Sequence, residues 1–142
     1  MKKKIIGLFG AAKVGKSTTI NKVYDILTQK YDYTEIGQSL LQYKDIRVVI
    51  VINGIKIGIE SQGDPNSRLK ESLDIFVKVG CDIIVCATRT SGMTVSWVEA
   101  KQPLYHVEWK EKKKKPEHDV TQQTISNLNM ANEIVAEIEK YL

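Results

Sequence analysis

The feature that most constrains the fold of this chain is a loop of small residues near its start, at positions 10–17. Two glycines five residues apart bound the loop, and a lysine and a serine close it. The run Ile-Ile-Gly-Leu-Phe at 5–9 precedes the loop and is typical of a buried strand, and apolar residues then recur at helical spacing over 20–27. The order of strand, glycine loop and helix predicts an α/β protein that begins with this unit.

The residue types of the loop suit phosphate binding, and their spacing fits G-x-x-x-x-G-K-[ST]. Glycines allow backbone angles and a close approach that a Cβ atom would prevent, so that several N–H groups can face phosphate oxygens. The following helix adds its unpaired N–H groups and the positive end of its dipole. We expect Lys16 to bridge β- and γ-phosphate oxygens and the Ser17 hydroxyl to ligate Mg²⁺. The residues predicted to contact the nucleotide are Gly10, Ala11, Ala12, Lys13, Val14, Gly15, Lys16, Ser17 and Thr18.

Downstream patterns extend the alternation of strands and helices. Residues 46–52 and 55–60 are strand-like and are joined by Asn-Gly, the strongest short signal for a hairpin. A continuous apolar run at 82–87 is typical of a central parallel strand, and 103–109 alternates like a strand nearer an edge. These patterns predict a three-layer α/β sandwich whose sheet is mostly parallel with one antiparallel strand.

Three further helices are predicted. One begins at Asn66 or Ser67 and ends at Gly80, and a short one lies within 93–101. The last is capped by Asp119. Its expected buried face consists of Ile125, Leu128, Val135, Ile138 and Leu142.

Length and composition limit the possible functions. The chain has 142 residues, which predicts a single nucleotide-binding domain over 1–142. The net charge of +4 comes largely from lysines at 2–4 and 110–115, which favour solvated segments over a nucleic-acid site. No apolar run approaches the roughly 18 residues that a membrane span needs. Two cysteines at 81 and 86 are expected to be buried free thiols, which favours the cytoplasm.

With these elements in this order, the chain resembles the P-loop NTPase superfamily over nearly its whole length. A hairpin followed by Glu60-Ser61-Gln62-Gly63 is similar to Ras-like GTPases, where an antiparallel strand pair leads into Asp-x-x-Gly. The resemblance implies the P-loop NTPase fold. It places Glu60 at the aspartate, which would hold Mg²⁺ or polarise water, and Gly63 at the glycine that senses the γ-phosphate. Asp64 is a second candidate carboxylate.

The chain departs from the GTPase pattern in its base-recognition region. It has no Asn-Lys-x-Asp motif, and the strand ending at Ala87 is followed by Thr-Arg-Thr-Ser-Gly instead. We therefore expect ATP as the nucleotide, with GTP as the alternative. Arg89 could neutralise charge on a transferring phosphoryl group, and a surface ion pair is the alternative role. The predicted catalytic residues are Lys16, Glu60 and Arg89, and the predicted metal ligands are Ser17 and Glu60.

Three functions fit this sequence. The first is Mg²⁺-dependent binding and hydrolysis of a nucleoside triphosphate. The second is a small kinase that transfers the γ-phosphate to a nucleoside, nucleotide or metabolite acceptor. The third is a nucleotide-dependent switch that binds a protein partner with negligible turnover. The sequence also leaves open that the chain forms a homo-oligomer, because a chain of this size can complete its site with an arginine from a neighbouring copy.

Overall fold

The computed structural model describes residues 2–37, 39–42, 45–113 and 120–142. The strands of the described chain are β1 (Lys4–Phe9), β2 (Thr34–Glu35), β3 (Leu40–Gln42), β4 (Asp45–Ile52), β5 (Ile55–Glu60), β6 (Ile83–Thr88) and β7 (His106–Glu111). The helices are α1 (Lys16–Lys30), α2 (Leu69–Val79), α3 (Met93–Glu99) and α4 (Val120–Glu139). The predicted α/β class is confirmed.

All of these strands belong to one mixed sheet in the order β2-β4-β5-β6-β1-β7, with β3 also paired to β4. The pairs β5–β6, β6–β1 and β1–β7 are parallel, and β4 is antiparallel to β2, β3 and β5. Within the described sheet, β4 alone therefore runs against the other strands, as predicted. The turn between β4 and β5 has Asn53 at φ 51° and Gly54 at φ 80°, which is why Asn-Gly suits it.

Helices cover both faces of the sheet. One apolar core joins α1 and α4 to side chains such as Ile6 and Ile59, and a second joins α2 and α3 to side chains such as Ile5 and Ile84. Successive residues of a strand face opposite sides, so each central strand contributes to both cores. Because β6 is buried along its whole length, its continuous apolar sequence is explained by this two-sided packing.

The predicted buried face of α4 is wrong in its first half. Ile125 and Leu128 are 53% and 40% exposed. The buried apolar residues of α4 are Ala131, Ile134, Val135 and Ile138. Continued toward the N-terminus at steps of three and four residues, this inward face carries Gln123 and Asn127, which turns Ile125 and Leu128 outward. Asp119, the predicted cap, lies outside the described residues.

Gly58 of β5 is packed against the ring of Phe76 on α2. A Cβ atom at this position would lie 2.7–2.9 Å from three ring carbons, and Phe76 is fully buried. We expect Gly58→Ala to lower the free energy of unfolding by about 1–3 kcal/mol. The cost of this overpacking exceeds the gain in stability of about 0.5–1 kcal/mol that alanine otherwise brings to a strand. Denaturant unfolding measures the change.

The matched control is the same substitution in a Phe76→Leu background. Leucine is smaller than the phenyl ring, so the cost of Gly58→Ala should shrink there if the ring is its cause. An equal cost in both backgrounds would show that the ring contact is not what makes glycine necessary.

Candidate functional site

A cavity of about 750 Å³ lies at the sheet edge where β1, β5 and β6 end. This is the edge where open α/β sheets bind their ligands. Its described lining is mainly polar and comes from the 10–17 loop, the segment after β5, the end of β6, the start of β4 and the N-terminal half of α4. The lining residues are Ala12, Lys13, Gly15, Lys16, Ser17, Thr18, Asp45, Ser61, Gln62, Gly63, Asp64, Asn66, Ser67, Ala87, Arg89, Gln123 and Asn127.

Gly10 of the 10–17 loop is required by backbone packing, and Gly15 by its own backbone conformation. A Cβ atom on Gly10 would lie 2.5 Å from the carbonyl oxygen of Lys112, and one on Gly15 would collide with the side chain of Asn127. Gly15 also has φ 98°, in the left-handed region, where it caps the start of α1. The loop is therefore pressed between the end of β7 and α4.

The predicted nucleotide contacts divide into two groups. Gly10, Ala11 and Val14 are not among the described residues that line the cavity, and Val14 is buried. The members that do line it are Ala12, Lys13, Gly15, Lys16, Ser17 and Thr18. The C-terminal half of the loop and the first turn of α1 therefore form the cavity floor.

Lys16 is a nearly buried cation at this floor, with 7% of its surface exposed. Its ammonium group donates hydrogen bonds to the carbonyl oxygens of Gly10, at 2.6 Å, and of Thr88. Burial and then the positive charge of Arg89 lower the pKa of Lys16 to about 8, while Asp64 acts in the opposite direction. The charged form of Lys16 is thus poorly compensated, and an anion in the cavity would stabilise it.

Glu60 does not lie in this cavity. Its carboxylate is fully buried and accepts hydrogen bonds from Arg68 Nε at 2.8 Å, Ser72 Oγ at 2.5 Å and the backbone N–H of Gln62 at 3.1 Å. The alternation of β5 explains the position, because Glu60 faces the same side as Gly58, toward α2. In addition, β6 separates β5 from β1. The expectation that Glu60 holds a metal therefore has no geometric support.

Arg89 and Asp64 form an ion pair that lines the cavity. Arg89 Nη2 and Nε lie 2.9 Å and 3.0 Å from Asp64 Oδ1. Both alternatives predicted for Arg89 are thus compatible with its position, because it is an ion-paired residue at the cavity. The Asp64 side chain is 67% exposed, and exposed pairs of this kind contribute little to stability. The guanidinium can therefore exchange Asp64 for another anion at low cost.

Several lining residues were not predicted as site residues from the sequence, namely Asp45, Ser61, Gln62, Asn66, Ser67, Ala87, Gln123 and Asn127. The hairpin places Asp45 there, since the antiparallel β4 starts where β5 ends. Gln123 and Asn127 continue the inward face of α4. Both residues could have been found by extending the helical periodicity of the buried apolar residues into the polar half of the helix. Asn127 Oδ1 is buried without a hydrogen-bond partner in the described part of the chain.

Other features of the described residues limit the chemistry. They contain no cluster of three or more His, Cys, Asp or Glu side chains that could hold a metal ion by themselves. Cys81 and Cys86 are buried free thiols, and burial raises the pKa of both, which makes them poor nucleophiles. None of the described helices combines the length and apolarity that crossing a bilayer requires.

Comparison with protein-family models, with curated proteins and with solved structures finds no match for this chain. Functional inference therefore depends on the cavity and its residues.

The buried Glu60–Arg68 pair leads to a stability prediction. Glu60→Ala would leave the guanidinium of Arg68, whose side chain is only 13% exposed, without its carboxylate. We expect a loss of about 3–5 kcal/mol in the free energy of unfolding, measured in urea. Asp64→Ala is the matched control, because it removes a carboxylate from the exposed pair and should cost under about 1 kcal/mol. Equal losses for the two variants would contradict a structural role for Glu60.

Proposed function

We propose that this chain is a small P-loop NTPase that binds and hydrolyses a Mg²⁺–nucleoside triphosphate, with ATP as the expected nucleotide and GTP as the alternative. The observation that carries the proposal is the position of Lys16. It is a nearly buried cation on the cavity floor, at the start of a helix whose N-terminus faces the same space. An N-terminus of this kind is a ready-made anion site.

The charges around the cavity support a polyphosphate ligand. Lys16 and Arg89 both line it. Burial and then the repulsion from Arg89 lower the pKa of Lys16, and an anion bound between the two cations would offset both effects. Backbone N–H groups of residues 11–17 would cradle phosphate oxygens. A ligand with several phosphate groups is the class that uses all of these features together.

The residues present also suit Mg²⁺. This ion is usually held by one or two protein oxygens together with substrate phosphates and waters, so it needs no preformed cluster of ligands. Ser17 supplies a hydroxyl oxygen on the cavity floor. When bound, the ion would neutralise charge on the phosphate oxygens.

For hydrolysis, we assign charge stabilisation on the β- and γ-phosphates to Lys16. Arg89 would leave Asp64 and pair with the phosphoryl group. Glu60 is fixed to Arg68 and Ser72, so orientation of the attacking water falls to side chains that line the cavity, of which Gln62 and Asp64 are the candidates.

A nucleotide-dependent switch is a second candidate function. The segment 61–67 lines the cavity through several of its residues, and Asp64 in it is held by Arg89. A triphosphate that competes for Arg89 would release this segment, whereas a diphosphate need not reach it. Hydrogen exchange over 61–67 that differs between diphosphate and triphosphate would favour the switch, and identical exchange would count against it.

The proposal is tested by titration with ATP, GTP, ADP and GDP in the presence of Mg²⁺. We expect Lys16→Ala to weaken triphosphate binding by at least about tenfold, because a charge-assisted contact is lost. Lys22→Ala, an exposed lysine on the same helix, is the matched control and should bind like the wild type. A wild type that binds none of the four nucleotides, or a Lys16→Ala protein with full affinity, would overturn the proposal.

The lowered pKa of Lys16, about 8, predicts that binding depends on pH. A bound phosphate favours the ammonium form and raises this pKa, so the protein takes up a proton on binding wherever the free lysine has lost it. Above about pH 8 the affinity should fall, by up to about tenfold per pH unit, until the pKa of the complex is reached. Calorimetry in buffers of different ionisation enthalpy measures this proton uptake.

Lys16→Arg is the control for this pH dependence, since a guanidinium stays charged throughout the range. Its affinity, although altered by the change of geometry, should not decline with pH. A wild type whose affinity and proton uptake stay constant across this range would contradict the assignment.

A further inference from the structure

We propose that Asp45, the first residue of β4, is the carboxylate that supports a divalent cation at Ser17, directly or through one of the ion's waters. This inference rests on the proposed nucleotide site. It assigns to Asp45 the part that the sequence pattern suggested for Glu60.

The first step is the orientation of the Ser17 hydroxyl. Ser17 Oγ donates a hydrogen bond to the backbone carbonyl oxygen of Ser61 at 2.9 Å. A hydroxyl has one proton and two lone pairs. Since the proton is directed to Ser61, the lone pairs of Ser17 Oγ remain available to a cation in the cavity that this residue lines.

The second step is the connection between Ser17 and Asp45 through Ser61. Ser61 is fully buried and makes two hydrogen bonds with the backbone of Ile46. Its N–H donates to the Ile46 carbonyl at 3.0 Å, and its side-chain Oγ accepts from the Ile46 N–H at 2.8 Å. With its own proton, Ser61 Oγ donates to Asp45 Oδ1 at 3.3 Å. One rigidly held serine therefore positions both the Ser17 hydroxyl and the Asp45 carboxylate.

The third step is the availability of the negative charge. Glu60 is paired with Arg68, and Asp64 with Arg89, so each of these carboxylates is already compensated by a guanidinium. Asp45 lines the cavity and is half-buried, and within the described residues its carboxylate accepts one hydrogen bond, from the neutral hydroxyl of Ser61. Arg89 would leave Asp64 when a nucleotide binds, but among the described residues Asp45 is the lining carboxylate that the same serine holds together with the Ser17 hydroxyl.

The fourth step is the fit to the ion. Mg²⁺ takes oxygen ligands and is characteristically held by one or two carboxylates together with substrate phosphates. A hydroxyl and a carboxylate fixed by the same serine, beside the 10–17 loop, provide such a donor set. Asp45 can take the role expected of Glu60 because the hairpin brings the start of β4 to the carboxyl end of β5.

The test compares nucleotide affinity with Mg²⁺ and with EDTA for the wild type and for Asp45→Asn, using ATP as the probe in calorimetry. Asparagine keeps an oxygen for the Ser61 hydroxyl, so the fold should be retained, and thermal unfolding checks this. We expect Mg²⁺ to strengthen ATP binding to the wild type and this enhancement to fall by about tenfold or more in Asp45→Asn. Affinity in EDTA should be unchanged or higher, because a negative charge near the phosphates is removed.

Glu60→Gln, checked for folding by thermal unfolding, and Asp74→Asn, which removes an exposed carboxylate of α2 outside the cavity, are the matched controls and should keep the enhancement by Mg²⁺. Electron paramagnetic resonance of Mn²⁺ with ATP gives a second readout, in which Asp45→Asn should weaken the bound-ion signal and Glu60→Gln should not. Full enhancement in Asp45→Asn, or an equal loss of affinity with and without metal, would overturn the role of Asp45. A wild type that binds no ATP would instead refute the proposed function, and with it this inference.

Discussion

The ammonium group of Lys16 is the point on which the arrangement of the cavity depends. It donates hydrogen bonds to the carbonyl oxygens of Gly10 and Thr88, which follow β1 and end β6, so it ties together two neighbouring strands at the sheet edge. A buried cation is tolerated only when polar partners surround it. The partners of Lys16 are neutral carbonyls, so an anion in the cavity would stabilise its charged form further.

Much of the fold could be predicted from the sequence because its signals are local. The 10–17 loop, the Asn53-Gly54 turn and the apolar run of β6 each report their own backbone geometry. The position of Glu60 could not be predicted in the same way, since it depends on which strand lies beside β1. In the sheet, β6 lies between β5 and β1, and the pleat of β5 turns Glu60 toward α2. Neither the strand order nor the direction of the Glu60 side chain can be predicted from the residues around Glu60.

The α4 helix shows a second limit of sequence patterns. Its apolar residues suggest one face, but the inward face changes from apolar to polar where the helix passes the cavity. Gln123 and Asn127 take the place of core residues there, and Ile125 is exposed. A pattern that assumes apolar residues point inward fails beside a polar cavity, because the inward-facing residues of the helix line the cavity there. The failure of the pattern was itself an indication of the cavity.

The ion pair between Arg89 and Asp64 has a consequence for how ionic strength acts on the site. In a cavity with an unpaired guanidinium, added salt only weakens the attraction of a charged ligand. Here salt also weakens the internal pair that a charged ligand in the cavity would displace. The two effects oppose each other, so Arg89 would contribute less to the salt dependence of such binding than a free arginine would. The affinity of the cavity for a charged ligand would therefore change less with the surrounding ion concentration.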